Sequence, residues 1–267
     1  MSLEQAQDFL EETETLAALL ADLEEPRWAL KTQFKGWTIN DVIAHLRFWT
    51  RGADMALTDP GAFAELAAAV SKGLAGGNLR QVENGILADL TGRALFDVWL
   101  GEAMSVAARW RDVDPKTRVP WVNGLEMSAR SSMTARQMET WAHGHEIFDR
   151  LGAVREETDR IRNIVVLGVN TYGFAFKLRG MEPPGPMPQV VLTAPSGAEW
   201  VHGEAGNGRV VGSAVAFAEV VTQTRAFADV DLRAEGAAAE AWMAVAQCFA
   251  GKPEAPPESG SRGLHAG

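Results

Sequence analysis

Along the first two thirds of the chain, apolar residues recur at helical spacing. Leu3, Ala6, Leu10, Ala17, Leu20 and Leu23 alternate with Glu and Asp, so residues 2–25 form an amphipathic helix that Pro26 ends. After the Gly36-Trp37 turn, Thr38 stands three residues before Asp41 and ahead of Val42, Ile43, Leu46 and Trp49. That is a capping-box start for a second helix, Ile39–Leu57. Residues 58–84, with Asp59-Pro60-Gly61 and the loose Ser71–Asn78 stretch, read as an irregular crossover containing at most a short Ala-rich helix, a place for a lid or entrance. Leu87, Leu90, Leu95, Val98, Trp99, Met104, Val106 and Trp110 mark a third helix over Ile86–Arg111, and Asp112–Met127 connects it to a fourth, Ser128–Leu151. Gly152 is placed to cap the fourth. A fifth spans Glu156–Arg179, its regularity weakened by Gly168 and Gly173.

The pattern changes at Gly180–Pro188, the sharpest composition break in the chain and the expected domain boundary. Beyond it, Gln189–Thr193, Glu199–Gly203 and Arg209–Gly212 alternate as short strands between Pro-Ser-Gly and Gly-Asn-Gly turns, which predicts an antiparallel meander. Two helices come next, Ser213–Phe227 and Ala237–Phe249, with the acidic Ala228–Gly236 between them. The fold class is thus multidomain: a helical bundle over 1–180, a smaller α+β domain over 181–250, and a Pro-, Gly- and Ser-rich tail over 251–267 expected to be disordered.

Composition narrows the function classes. A length of 267 residues, 46% hydrophobic and 22% charged, suits two ordinary folded cores. The net charge of −10, with no Lys/Arg cluster, disfavours nucleic acid as a partner. The acidic N-terminus lacks the form of a signal peptide, and no apolar run is long enough for a membrane span. A single cysteine, Cys248, excludes an internal disulfide, reads as buried, and fits a reducing cytoplasm. The expected partner is a small-molecule substrate, in a chain that assembles as a homodimer.

Five histidines carry the candidate chemistry. His265 lies in the tail and His202 at a hairpin end, whereas His45, His143 and His145 fall among core-type residues of helices. Glu139 and His143 are four residues apart, on one helix face and about 6 Å apart along the axis. His145 is turned about 200° from His143, so only one of the two can face a bundle axis. His143 shares the face of Glu139, and His45 supplies a third donor if the second helix packs beside the fourth. Two imidazoles and a carboxylate suit a divalent ion, Zn(II) foremost, with Ni(II) or Fe(II) as alternatives, and leave positions open. The blander account is a solvated Glu–His pair and a hydrogen-bonded core histidine.

The stretch Gly36-Trp37-Thr38-Ile39-Asn40-Asp41-Val42-Ile43-Ala44-His45-Leu46 resembles the GWT-x-x-D-x-x-x-H-L signature of the DinB-like metal-binding bundles, in the branch of the mycothiol-dependent maleylpyruvate isomerases. Arg136-Gln137-Met138-Glu139-Thr140-Trp141-Ala142-His143-Gly144-His145-Glu146 resembles that branch's R-x-x-E-x-W-x-H-x-x-D, with Glu146 in place of the family's Asp. The likeness over 58–127 is architectural only. The resemblance implies an up-down-down-up four-helix bundle binding zinc or another divalent ion through His45, Glu139 and His143, with a sterol-carrier-like C-terminal domain after it. It also implies an arginine contributed by that domain, matched weakly by Arg225 in Thr222-Gln223-Thr224-Arg225, for which a surface role is the simpler account.

Three functions are compatible with these residues. The first is a metal-dependent transferase or isomerase using a low-molecular-weight thiol on a small electrophile. The second is a hydrolase or lyase using metal-activated water, with His145 or Glu146 as acid or base. The third is a non-catalytic carrier of an apolar ligand, with Trp37, Trp49, Trp121 and Trp141 lining a cavity or simply packing a core.

Overall fold

The structure is a computed structural model that describes residues 2–76, 79–86 and 90–264. Leu87, expected in the third helix, and His265 lie outside the described residues. The chain divides into two compact units, Met1–Gly144 and His145–Gly267. The division falls inside a helix rather than at Gly180–Pro188, because the first turns of that helix belong to the core of the preceding helices and its last turns to the C-terminal unit.

In the first unit, α1 (Glu4–Leu20), α2 (Ile39–Thr58), α3 (Pro60–Gly76), α4 (Leu79–Ile86) and α5 (Gly92–Trp110) lead to a hairpin of β1 (Arg118–Pro120) and β2 (Glu126–Ser128), and then to α6 (Ala129–Leu151), which runs on into the second unit. Helix α2 packs on α5, α5 on α1, and α3 on both α2 and α4. Their apolar stripes meet in one core that includes Leu3, Phe9, Phe48, Phe63, Val70, Val106, Trp110 and Met133. The expected capping box is present: Thr38 Oγ1 accepts from the Asp41 amide at 3.1 Å and Asp41 Oδ2 accepts from the Thr38 amide at 2.8 Å.

The irregular crossover expected over 58–84 is instead largely helical. Phe63, Leu66 and Val70 recur at helical spacing and are buried, and Asp59 Oδ1 accepts from the Ala62 amide, so Pro60-Gly61 opens a helix rather than breaking one. The connection 112–127 likewise contains the β1–β2 hairpin.

The second unit holds the end of α6, α7 (Arg162–Asn170), α8 (Tyr172–Lys177), β3 (Gln189–Thr193), β4 (Glu199–His202), β5 (Arg209–Ser213), α9 (Ala214–Val221), β6 (Leu232–Glu235) and α10 (Ala237–Met243). The fifth helix expected over 156–179 is interrupted at Thr171, between α7 and α8. Gly168 is where α7 meets α9: a Cβ there would lie 2.8 Å from Val221 and 2.9 Å from Phe217.

The sheet order is β4-β3-β5-β6, with β3 and β5 parallel and the other pairs antiparallel, so the meander expectation is corrected. Strand β4 ends beside the start of β3. The glycine-rich loop 203–208 then carries the chain around to the free side of β3, where the Gln189 amide donates to Gly208 O at 3.1 Å. The stretch expected as an acidic connection supplies the edge strand β6. Cys248 is buried as expected.

Within the described part of the tail, 251–264, polar contacts tie the chain down where composition predicts disorder. Ser259 and the Gly260 amide donate to Asp229, and Arg262 Nη1 donates to Glu146 Oε1 and to Gln223 O. Low apolar content says nothing of polar anchors.

Gly168→Ala is expected to lower the stability of the chain by about 1–3 kcal/mol through overpacking at the α7–α9 contact, measured by urea unfolding. Unchanged stability would mean that the two helices can separate freely.

Candidate metal centre

The centre is assembled from the α2 start, α4 and the middle of α6. Lys35 and Gly36 both adopt positive φ, 51° and 68°, which folds the chain back so that Lys31 bridges Thr38. A Cβ on Gly36 would meet nothing within 4 Å, so glycine is suited here by its backbone angle rather than by space. The turn lays the Trp37 indole parallel to the His143 imidazole, centroids 5.7 Å apart at 10°, while the Phe34 ring stands edge-on to the same imidazole at 5.0 Å.

Two turns into α2, His45 projects into this aromatic enclosure. Its Nε2 lies 3.3 Å from Glu139 Oε2, and His143 Nε2 lies 3.3 Å from the same oxygen. The three candidate donor atoms are all within 4.8 Å of one another. His45 is 8% exposed, and His143 and Glu139 are only partly accessible. The structure therefore brings together the three residues chosen from sequence.

The donor set fits a divalent cation. Distances of 3.3 Å are long for a charged hydrogen bond, normally about 2.7–2.9 Å. The two separations measured from Glu139 Oε2 are near the edge of a tetrahedron whose centre sits about 2.0–2.1 Å from each donor, so a bound ion would need only to draw the two imidazoles closer together. The orientation of His45 agrees. On its other side Glu83, fully buried, places Oε1 2.9 Å from Nδ1, so that with Nδ1–H donating to this carboxylate Nε2 is the nitrogen turned toward Glu139 and free to ligate an ion.

Glu83 is itself held by the Trp49 indole N–H at 3.2 Å and by Arg80 Nη1 at 2.9 Å. Arg80 also pairs with Asp41, the capping-box carboxylate, and stacks over Trp37 with its guanidinium 4.3 Å from the ring centroid.

Burial disfavours charge on every member of this cluster, and the partners decide the outcome. For His45, burial pulls the pKa down, but hydrogen bonds to Glu139 and Glu83 outweigh it and the pKa is raised. For His143, burial together with the nearby His45 charge prevails over the Glu139 bond, and the pKa is lowered. Burial would raise both acids, yet bonds from His143 and His45 hold Glu139 well below the ordinary range, and His45 and Arg80 hold Glu83 down. The carboxylate of Glu139 is thus biased toward its charged form and the imidazole of His143 toward its neutral one, while His45, between two acids, is the more readily protonated of the two histidines.

His145, Glu146 and Arg225 belong to the second unit. His145 Nε2 is 3.1 Å from Glu157 Oε1, which also pairs with Arg155. Arg225 is not the surface arginine that composition suggests. Its side chain is 13% exposed and Nη2 donates to the buried Asp149 at 2.7 Å. Gln223, at φ 59°, reverses the chain after α9, and its side chain is fixed to the carbonyls of Ala246 and Glu254. Glu146 is buried with its pKa pushed up to about 7, chiefly by desolvation, against which Arg262 works.

Glu83 and Arg80 were missed by sequence reasoning. They lie in the segment read as a crossover, and the i,i+3 spacing of Arg80 and Glu83 is the one local sign of their pairing.

Glu83→Gln is expected to weaken binding of zinc about 10- to 100-fold, because the amide no longer fixes the His45 tautomer. Chelator competition measures this, and an unchanged affinity would remove Glu83 from the centre.

The model for the mycothiol maleylpyruvate isomerase N-terminal domain matches residues 9–148. The uncharacterized proteins MT0041 and Rv0036c, from two strains of Mycobacterium tuberculosis, are each 39% identical to this chain over 249 residues, 92% of it and 95% of their own length. The crystal structure of the mycothiol-dependent maleylpyruvate isomerase superposes with a TM-score of 0.55 at 17% identity, covering 88% of this chain and 93% of that one. A histidine-to-alanine mutant of that isomerase gives 0.51 at 18% identity, over 82% and 88%. These likenesses support the mixed helical fold with small sheets. By the family match and the extent of the mycobacterial likeness, the chain belongs to the DinB-like family of mycothiol maleylpyruvate isomerase N-terminal domains.

Proposed function

We propose that this protein is a divalent-metal-dependent enzyme, with zinc held by His45, Glu139 and His143, that uses a low-molecular-weight thiol to transfer to or isomerise a small electrophilic substrate. The observation that carries the reading is the convergence of three donor atoms within 4.8 Å, one of them oriented from behind by a buried carboxylate. When bound there, a divalent ion with open positions supplies Lewis acidity that lowers the pKa of a coordinated thiol. The chain's own residues do the rest. Glu139 stays ionised and offers one oxygen to both imidazoles. Glu83 keeps the Nδ1 proton of His45 in place, and Trp37 and Phe34 shelter His143 from water.

Family membership supports the thiol, since the related isomerase is mycothiol-dependent. Within this proposal helices α1, α2, α5 and α6 form the DinB-like bundle, and the mixed sheet with α9 and α10 is the sterol-carrier-like part. Arg225 is proposed as that part's contribution to the reaction, and His145 as a proton-exchanging group whose pairing with Glu157 sets its orientation. No helix among the described residues is long and apolar enough to cross a membrane, which is compatible with a cytoplasmic enzyme.

Elemental analysis of the purified chain should give about one divalent ion per chain, lost in His45→Ala and Glu139→Ala, and thiol-dependent consumption of an electrophilic alkene should fall at least ~100-fold in both. Full metal content in both variants would overturn the assignment.

A further inference from the structure

A buried guanidinium stands beside the three-residue cluster without an anion of its own among the described residues. Arg136 lies one turn before Glu139 on α6 and is 4% exposed. Among the described residues its side chain has no hydrogen-bond or ion-pair partner, and Nε is fully enclosed with nothing to accept from it. Glu139 acts on it only through space, and Oε2 of that carboxylate is already shared between His45 and His143. The guanidinium carbon sits 5.9 Å from the Trp49 ring centroid, and the Trp49 indole N–H is committed to Glu83. Arg136 therefore shares a wall with the metal centre.

A buried charge without a partner is among the costliest arrangements a fold can hold, and one that persists calls for an explanation in terms of a ligand. A purely structural arginine here would be expected to bridge Glu139, and it does not. Arg80, another cation beside this cluster, is by contrast paired with Asp41 and Glu83.

We propose that Arg136 is an anion-recognition residue of this site and that its ligand is a carboxylate, carried by the substrate or by the thiol. A planar fork of N–H donors matches a carboxylate edge-on. A single free guanidinium balances one carboxylate, whereas a phosphate dianion would need further donors that are already taken. The inference rests on the proposed function only in taking the cluster as the reaction site.

The test uses the full chain, zinc-loaded and zinc-free, titrated calorimetrically with maleate and with N-acetylcysteine, each beside its uncharged amide. Arg136→Met is expected to weaken at least one carboxylate probe about 10- to 100-fold while leaving its amide unaffected, and Arg136→Lys to recover part of the loss. A loss confined to maleate assigns the carboxylate to the substrate, and a loss confined to N-acetylcysteine assigns it to the thiol. Zinc content should be unchanged, and the unfolding temperature of Arg136→Met equal or higher, since an unpaired buried charge is replaced by an apolar side chain.

Equal affinity of wild type and Arg136→Met for both carboxylates would overturn the proposal, as would no binding of either by wild type. A lowered unfolding temperature accompanied by zinc loss would do the same, by making the residue structural. If wild type takes up no zinc yet still binds a carboxylate through Arg136, the metal-enzyme reading fails and this one stands.

Discussion

One imidazole held between two carboxylates organises the first unit. His45 meets Glu83 through Nδ1 and Glu139 through Nε2, so both ring nitrogens face a carboxylate. A single buried carboxylate would draw the ring's proton and orientation to itself. With Glu83 fixing Nδ1, the opposite nitrogen is left to converge with His143 on Glu139. The arrangement is costly to bury, and its cost is offset by charge pairing and hydrogen bonds on both flanks.

That constraint reaches outward through named contacts. Glu83 is set by Arg80, Arg80 by Asp41, and Asp41 closes the capping box that starts α2 and thereby fixes where His45 points. The same turn that delivers Thr38 to the cap lays Trp37 across His143 and beneath the Arg80 guanidinium. A helix start, an aromatic lid and a ligand orientation are thus one mechanical unit. Separate changes at Asp41, Arg80 or Glu83 should converge on the same defect in His45.

The clustering of His45, Glu139 and His143 was legible in the sequence because helical geometry fixes Glu139 against His143 and turns His145 away, and because His45 sits on a strongly apolar face. The capping box and the boundaries of α2 and α6 were equally local. Features that escaped depended on distant partners. Pro60-Gly61 and a glycine-rich run looked like loop until Phe63, Leu66 and Val70 found a core to pack against, and Glu83 was hidden with them. Gly168 looked like a flaw in a helix but is the contact point of α7 with α9. The parallel pairing of β3 with β5 depends on where the chain returns, which alternation of side chains does not encode. Likewise Arg225 and the tail take their order from buried acids, Asp149 and Glu146, whose burial no local pattern announces.

The central claim is that two imidazoles and one carboxylate share a cation in the first unit. X-ray absorption at the metal edge of the zinc-loaded chain tests it most directly. The account predicts two imidazole nitrogens and at least one carboxylate oxygen at about 2.0–2.2 Å, with one imidazole lost in His45→Ala. A sulfur-dominated shell, or a spectrum unchanged by that substitution, would contradict it.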